Sequence, residues 1–439
     1  MTEVDHEYRC PLALVDRRLA QVHQHWHEAE RAYFDPDGFL VAIQTAIQTL
    51  RTVTFILQSN KHLFSNFDDW YDQWQNKLRA DPLMRWMVDA RNKIEKQGDL
   101  EMHSFVRAEI MASYYDDGPR EDVPAELFQS PAELISRISS GAYKMHAFKD
   151  GILRVQRRWV ENTLPDYELL DAVGIAYGKL AELVGDAHIQ LGLSVPSTMV
   201  GEEDHSEGRA ARNGRLPCMI GHSEIRSHNI WLATGQTLEL EQKQVKFDRD
   251  TAEIAAKKYN LDPKEIAPPT ISAPEELLDS LFATGRKMIT AAGYHDTIAF
   301  LLHGKRVTKI LQLALQEHGE KYLVFRNLAH EVTRCGADGV ILIGEIWMAP
   351  FDSSRPYRRA ADAPEKAEYL SATLVTKTGE PLQRQAKISR SGEVLSLGET
   401  ETVENKAPII FSPIYAAWGR EIPAAWREVF TSRDGASKG

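Results

Sequence analysis

Six apolar residues, Phe39, Ile43, Ile47, Leu50, Val53 and Leu57, recur at helical spacing through "FLVAIQTAIQTLRTVTFIL". A run with this period forms an amphipathic helix, and a face of that length has to be buried against other helices. The flanking sequence supplies them. Val15, Leu19, Val22, Trp26 and Ala29 stripe residues 12–33, and "FDPDG" separates that segment from the next. A third helical region starts near Phe67 and restarts at "ADPLM", where Asp81 is placed to cap and Pro82 suits the first turn. Leu83, Met87, Ala90 and Ile94 form its stripe, with Gly98 as the stop. Leu169, Val173, Leu180 and Val184 restore the period up to about residue 192. Four long helices predict a bundle.

Between the third and the last of these helices the period changes. Val106, Ala108, Ile110, Ala112 and Tyr114 alternate, as do Leu153, Val155, Arg157 and Trp159, which predicts strands inserted into the bundle. Residues 198–214 are polar and Gly-punctuated. A hairpin is expected around Thr234-Gly235, then a short helix over 251–259 and a Pro-rich linker, "LDPKEIAPPTISAPE". The remainder reads as a helix from Pro274, extended runs over 296–315, a helix near 319–335, an apolar strand over 339–348, and hairpins at "KTGEPL" and "SRSGEV". The expected fold class is therefore α+β multidomain. Residues 1–195 form a four-helix-type bundle with a strand insertion, 196–272 a connecting region, and 273–439 an α+β domain with a largely antiparallel sheet.

Composition narrows the function. The net charge of -11 argues against a broad nucleic-acid-coating surface, which needs a basic field, and leaves room for a local basic pocket. The best short basic run is "RVQRRW" (Arg154, Arg157, Arg158), otherwise a solvated strand face. Three cysteines far apart (Cys10, Cys218, Cys335) give neither a disulfide framework nor a thiolate zinc site, so a reducing cytoplasm is the expected location. No uninterrupted apolar run reaches the roughly 18 residues of a membrane span, and the start "MTEVDHEYRC" has no apolar signal core.

At the end of the third helical region stands "VDARNKIEKQGDL". Arg91 borders the buried stripe, and its planar fork suits a phosphate held together with Asn92 and Lys96; the plain alternative is an i, i+4 pair with Glu95. The helix beginning "FLVAIQTAIQTLRTV", followed by one ending in Arg-Asn, resembles the HEPN-domain proteins over about the first 190 residues. That resemblance implies a helical bundle, RNA as ligand, ribonuclease-like chemistry if the bundle is catalytic, and paired protomers joined through the bundle. Arg91 and Asn92 match the family motif, while Lys96 stands where the family has His, which implies binding or scaffolding in place of cleavage.

Other candidates stand outside that motif. His188 could return an imidazole to the bundle site, making Arg91, Lys96 and His188 the candidate catalytic set; the alternative is a hydrogen-bonded core histidine. In "HQHWH", His23 and His27 are one turn apart, but His25 points elsewhere and no nearby acidic pair completes a metal set, so a solvated helix face is expected. Glu345 shares a strand face with Ile341, Ile343 and Trp347. With Glu368 and Lys387 it sketches the carboxylates and lysine of a metal-dependent hydrolase or nuclease, against a strand-end salt bridge. The leading expectation is recognition of RNA or a nucleotide phosphate, without a cofactor. A non-enzymatic scaffold and a hydrolase in the C-terminal domain are the alternatives.

Overall fold

The computed structural model describes residues 10–112, 114, 120–123, 151–196, 206–221, 227–238, 242–245, 249–259, 261–262, 273–315, 319–350, 352, 358–392, 394–404 and 409–421. Most of the Pro-rich linker and part of the 198–214 connection lie outside them. The described residues fall into two compact units. One takes those up to Arg107 and those of 155–227; the other takes those of 108–124, 130–154 and from His228 onward.

The first unit is helical. Its helices are α1 (Ala13–Arg31), α2 (Pro36–Ser59), α3 (Phe67–Ala80), α4 (Pro82–Gln97), α5 (Leu169–Gln190) and the short α6 (Ser206–Ala211). The local signals act as the physical chemistry predicts. The Asp81 carboxylate accepts the Met84 N–H at 3.1 Å, Pro82 opens α4, and Gly98 ends it at a φ of 102° that side-chain-bearing residues rarely adopt. The α2 stripe is fully spent in one core with Val15, Leu19, Val22, Trp26, Met87, Val173 and Val184. By length and composition α2 is apolar enough to cross a membrane, which a search for uninterrupted apolar runs misses because Thr and Gln are interspersed. In that apolar window 56% is buried inside the protein. Aromatic groups tie the unit together: Phe39 stacks on Trp159, outside the helices, at 4.9 Å, and Trp70 and Trp74 both donate to Asp186, at 2.8 and 2.7 Å.

Strands β1 (Met102–Met111), β2 (Arg120–Val123), β3 (Ile152–Glu161), β4 (His228–Trp231) and β5 (Thr237–Leu238) pair in the order β2-β1-β3-β4-β5. The boundary between the units divides both β1 and β3. At the end of β3 the Glu161 carboxylate is buried, and it is satisfied by the Thr163 N–H at 2.7 Å, the Thr163 hydroxyl, the Trp86 indole and the Lys93 ammonium. Burial pushes its pKa up, but these four donors outweigh that and hold it below the usual carboxylate range.

The second unit is built on a larger sheet. Its strands are β6 (Gln242–Gln244), β7 (Thr297–His303), β8 (Arg306–Leu313), β9 (Gly339–Met348), β10 (Ala367–Thr376), β11 (Leu382–Ser391), β12 (Val394–Leu397) and β13 (Glu401–Glu404). They run β12-β11-β10-β9-β7-β8-β6, with β13 also on β11, and every pairing along the path is antiparallel. Alternation assigns the two faces. Phe300, Leu302, Ile341, Ile343, Leu370, Ala372 and Leu374 meet Leu277, Leu278, Phe282 and Ile289 of helix α8 (Pro274–Ala292), which follows α7 (Arg249–Tyr259). Ala299, Leu301, Val340 and Val375 face helices α9 (Glu320–Cys335) and α10 (Ser412–Ala417). The molecule is an α+β protein with a helical unit and a helix-covered antiparallel sheet.

Candidate functional site

Among the described residues, the sequence-predicted phosphate residues Arg91, Asn92 and Lys96 do not line the cleft that the helices form. Arg91 donates to Asn92 Oδ1 at 3.0 Å and pairs with Glu95 at 2.7 Å, one helical turn on. Lys96 is exposed, with no hydrogen bond or ion pair among the described residues, and its neighbour Lys93 is the one drawn to Glu161 and Glu101. His188 is fully buried elsewhere: Nδ1 bonds the Val184 carbonyl at 2.9 Å, and Nε2 lies 3.2 Å from Asp16 and 3.6 Å from the Cys10 thiol. Arg91 and His188 thus bond different groups, on different helices. Arg91 and Asn92 are explained by helix-end charge pairing.

The carboxylates of the second unit do come together, but around a cation the protein supplies. Arg390 donates to Glu368 through Nε at 2.9 Å and Nη2 at 3.0 Å, to Glu345 at 3.0 Å, and to the Gly293 carbonyl at 2.6 Å. Glu345 also accepts the His295 N–H at 2.5 Å. Burial and the adjacent Glu368 raise the Glu345 pKa, while the Arg390 guanidinium lowers that of Glu368. The guanidinium thus provides the countercharge that a metal would otherwise bring. Lys387, the third member of the sketched set, is exposed and stands opposite Tyr369 in the ladder. The basic run of β3 is likewise spent locally: Arg154 faces Glu109 at 3.6 Å, Arg157 lies over Trp159, and Arg158 over Phe105.

Two arrangements were not legible in the sequence. One is a cavity of about 420 Å³ within the helical unit. Ile47, Leu50, Met87 and Leu180 give it apolar walls, Tyr71 adds an aromatic one, and Arg51, Arg79 and Arg85 line it together with Asp89. Arg51 bonds Thr54 at 3.3 Å and Arg79 bonds Gln75 at 3.0 Å; among the described residues none of the three arginines pairs with a carboxylate. They come from α2, α3 and α4, so no local motif announces them.

The other arrangement joins α1 to the turn Pro217–Met219. His23 Nε2 lies 3.1 Å from Cys218 Sγ, and the His23 and His27 rings are 4.7 Å apart. His25 points away and binds Glu28 at 2.8 Å. The spacing of the histidines was visible in the sequence; the thiol 195 residues from His23 was not.

A helical unit with a basic-lined pocket and a helix-covered antiparallel sheet define the class of protein: an α+β multidomain protein. The chain belongs to the bacteriophage lambda protein ea47 family, whose model matches residues 4–432. Protein ea47 of Escherichia phage lambda is 28% identical to it over 336 residues, covering 74% of this chain and 77% of that protein. No solved structure matches. These findings overturn the expected likeness to HEPN-domain proteins: the family spans nearly the whole chain, and neither comparison points to that ribonuclease group. The Arg-Asn pair that suggested it is a short pattern with a sufficient structural cause in Glu95. The protomer pairing and the RNA-cleaving chemistry that the likeness implied lose their basis with it.

Proposed function

We propose that the helical unit is a non-catalytic binding module for a nucleoside phosphate. The observation that carries this reading is the convergence of Arg51, Arg79 and Arg85 on one apolar cavity with no carboxylate partner among the described residues. Arg51, Arg79 and Arg85 outnumber the one carboxylate, Asp89, in the lining, which leaves a net positive charge there, and a guanidinium fork matches phosphate oxygens in pairs. The apolar walls and Tyr71 suit a flat base, and the Asp89 carboxylate suits a sugar hydroxyl. The pocket is open to solvent on one side, and its volume falls in the range of small-molecule sites. The carboxylate cluster of the second unit favours a structural role over hydrolysis, because Arg390 already bridges both acids.

The test is calorimetric titration of the full chain with nucleoside mono-, di- and triphosphates. Saturable binding is expected, weakened at least tenfold, about 1.4 kcal/mol, in the double variant Arg79→Ala/Arg85→Ala. Arg91→Ala should bind like the parent. Failure of every nucleotide to bind, or equal binding by the double variant, would leave the scaffold reading in its place.

A further inference from the structure

Besides the cavity, the helical unit gathers a second set of chemically competent groups. His23, His27 and Cys218 each offer one ligating atom, and these atoms lie within 4.8 Å of one another. A tetrahedral zinc ion, about 2.0–2.1 Å from nitrogen and about 2.3 Å from sulfur, holds two such donors roughly 3.5 Å apart. The 3.1 Å between His23 Nε2 and Cys218 Sγ is close to that spacing. We propose that His23, His27 and Cys218 bind a single divalent transition-metal ion of the zinc class, with the fourth coordination position open to solvent.

Two features beyond proximity carry this assignment. His27 Nδ1 is held by the Glu30 carboxylate at 2.8 Å, which fixes the tautomer and leaves Nε2 as the lone-pair nitrogen. Such a carboxylate behind a histidine is the usual support for a metal-bound imidazole. Cys218 is exposed, which gives an ion its entry and leaves room for a water ligand. The segment that leads into the Cys218 turn packs closely on α5, because a Cβ on Gly178 would stand 2.2 Å from the Asn213 carbonyl oxygen. Uptake is balanced simply. The Cys218 sulfur bonds the ion as a thiolate, its proton passes to solvent, and no electron moves.

The experiment titrates the metal-free full chain, under reducing conditions, with cobalt(II) and then zinc(II). Expected are one equivalent of cobalt, visible bands of tetrahedral intensity, a thiolate-to-cobalt charge-transfer band in the near ultraviolet, and displacement of cobalt by zinc. Cys218→Ser should abolish the charge-transfer band. His23→Ala and His27→Ala should each weaken binding more than tenfold, Glu30→Gln about 10- to 100-fold, and His25→Ala not at all. Circular dichroism of the metal-free variants checks that each is folded, and the parent's own spectrum tests the thiolate ligand without any substitution. Cys10, Asp16 and His188 also lie close together, so Cys10→Ser is the discriminating control and should keep the band. Absence of saturable one-to-one uptake overturns the proposal. So does a band that survives Cys218→Ser and disappears in Cys10→Ser.

Discussion

His188 is an imidazole under two opposed demands. Burial works against charging the ring, yet the Asp16 carboxylate 3.2 Å from Nε2 and the Val184 carbonyl at Nδ1 outweigh it and raise its pKa above the ordinary histidine value. The folded chain therefore keeps this proton at pH values where the unfolded chain has released it. For a raised pKa the stabilisation is complete below the unfolded value of about 6.5 and is lost as the pH climbs through the folded one. Burial pushes the neighbouring Cys10 thiol up as well, so it adds no negative charge there near neutrality. Asp16→Asn should cost about 2 kcal/mol at pH 6, the scale of a charge-assisted hydrogen bond. The gap between parent and variant should close as the pH is raised. Denaturant unfolding at several pH values measures it, and a loss independent of pH would mean that the ring is neutral throughout.

At the scale of elements, α5 packs by backbone against the segment that leads to Cys218. Gly178 lets the backbone at Asn213 and Arg215 approach it, and Gly214, with a φ of 74°, is equally tight against the Gly178 carbonyl. Gly178→Ala should cost about 1–3 kcal/mol through overpacking, since the atoms it meets are backbone and cannot rotate aside. It should also weaken cobalt uptake at Cys218 without touching a ligand. Full stability and unchanged uptake would show that the turn is placed by something else. The stripes of α1, α2, α4 and α5 and the Asp81, Pro82 and Gly98 signals were legible because helix period and capping are local physics. So were the extended runs and hairpins from 296 onward that β7 to β11 occupy. What could not be read is pairing across distance. Alternation puts Glu345 on a strand face without revealing that Arg390, 45 residues on, clamps it. The period that placed His23 and His27 one turn apart carries no information about Cys218. The Arg91-Asn92 match misled for the complementary reason: a short pattern on one helix cannot distinguish a ligand site from a salt bridge to Glu95.

For the whole molecule, charge separates a nucleotide from a nucleic acid. A chain of net charge -11 repels a long polyanion, while three arginines at one cavity attract a short one locally. Affinity for phosphate ligands should therefore not grow with chain length: a 20-nucleotide RNA is expected to bind no tighter than a nucleoside triphosphate. Salt gives the quantitative form. Each arginine that neutralises a phosphate on a single strand contributes about -0.7 to the slope of log K against log salt concentration, so three contacts limit it to about -2. A protein coating the strand with six or more contacts would instead show a slope steeper than about -4. Measuring both ligands between about 50 and 200 mM salt, the span over which such contacts show, decides between these. A shallow slope that flattens further in Arg79→Ala/Arg85→Ala places the anion at the cavity. A steep slope shared by the parent and that variant would place it on another surface, and would return RNA as the ligand.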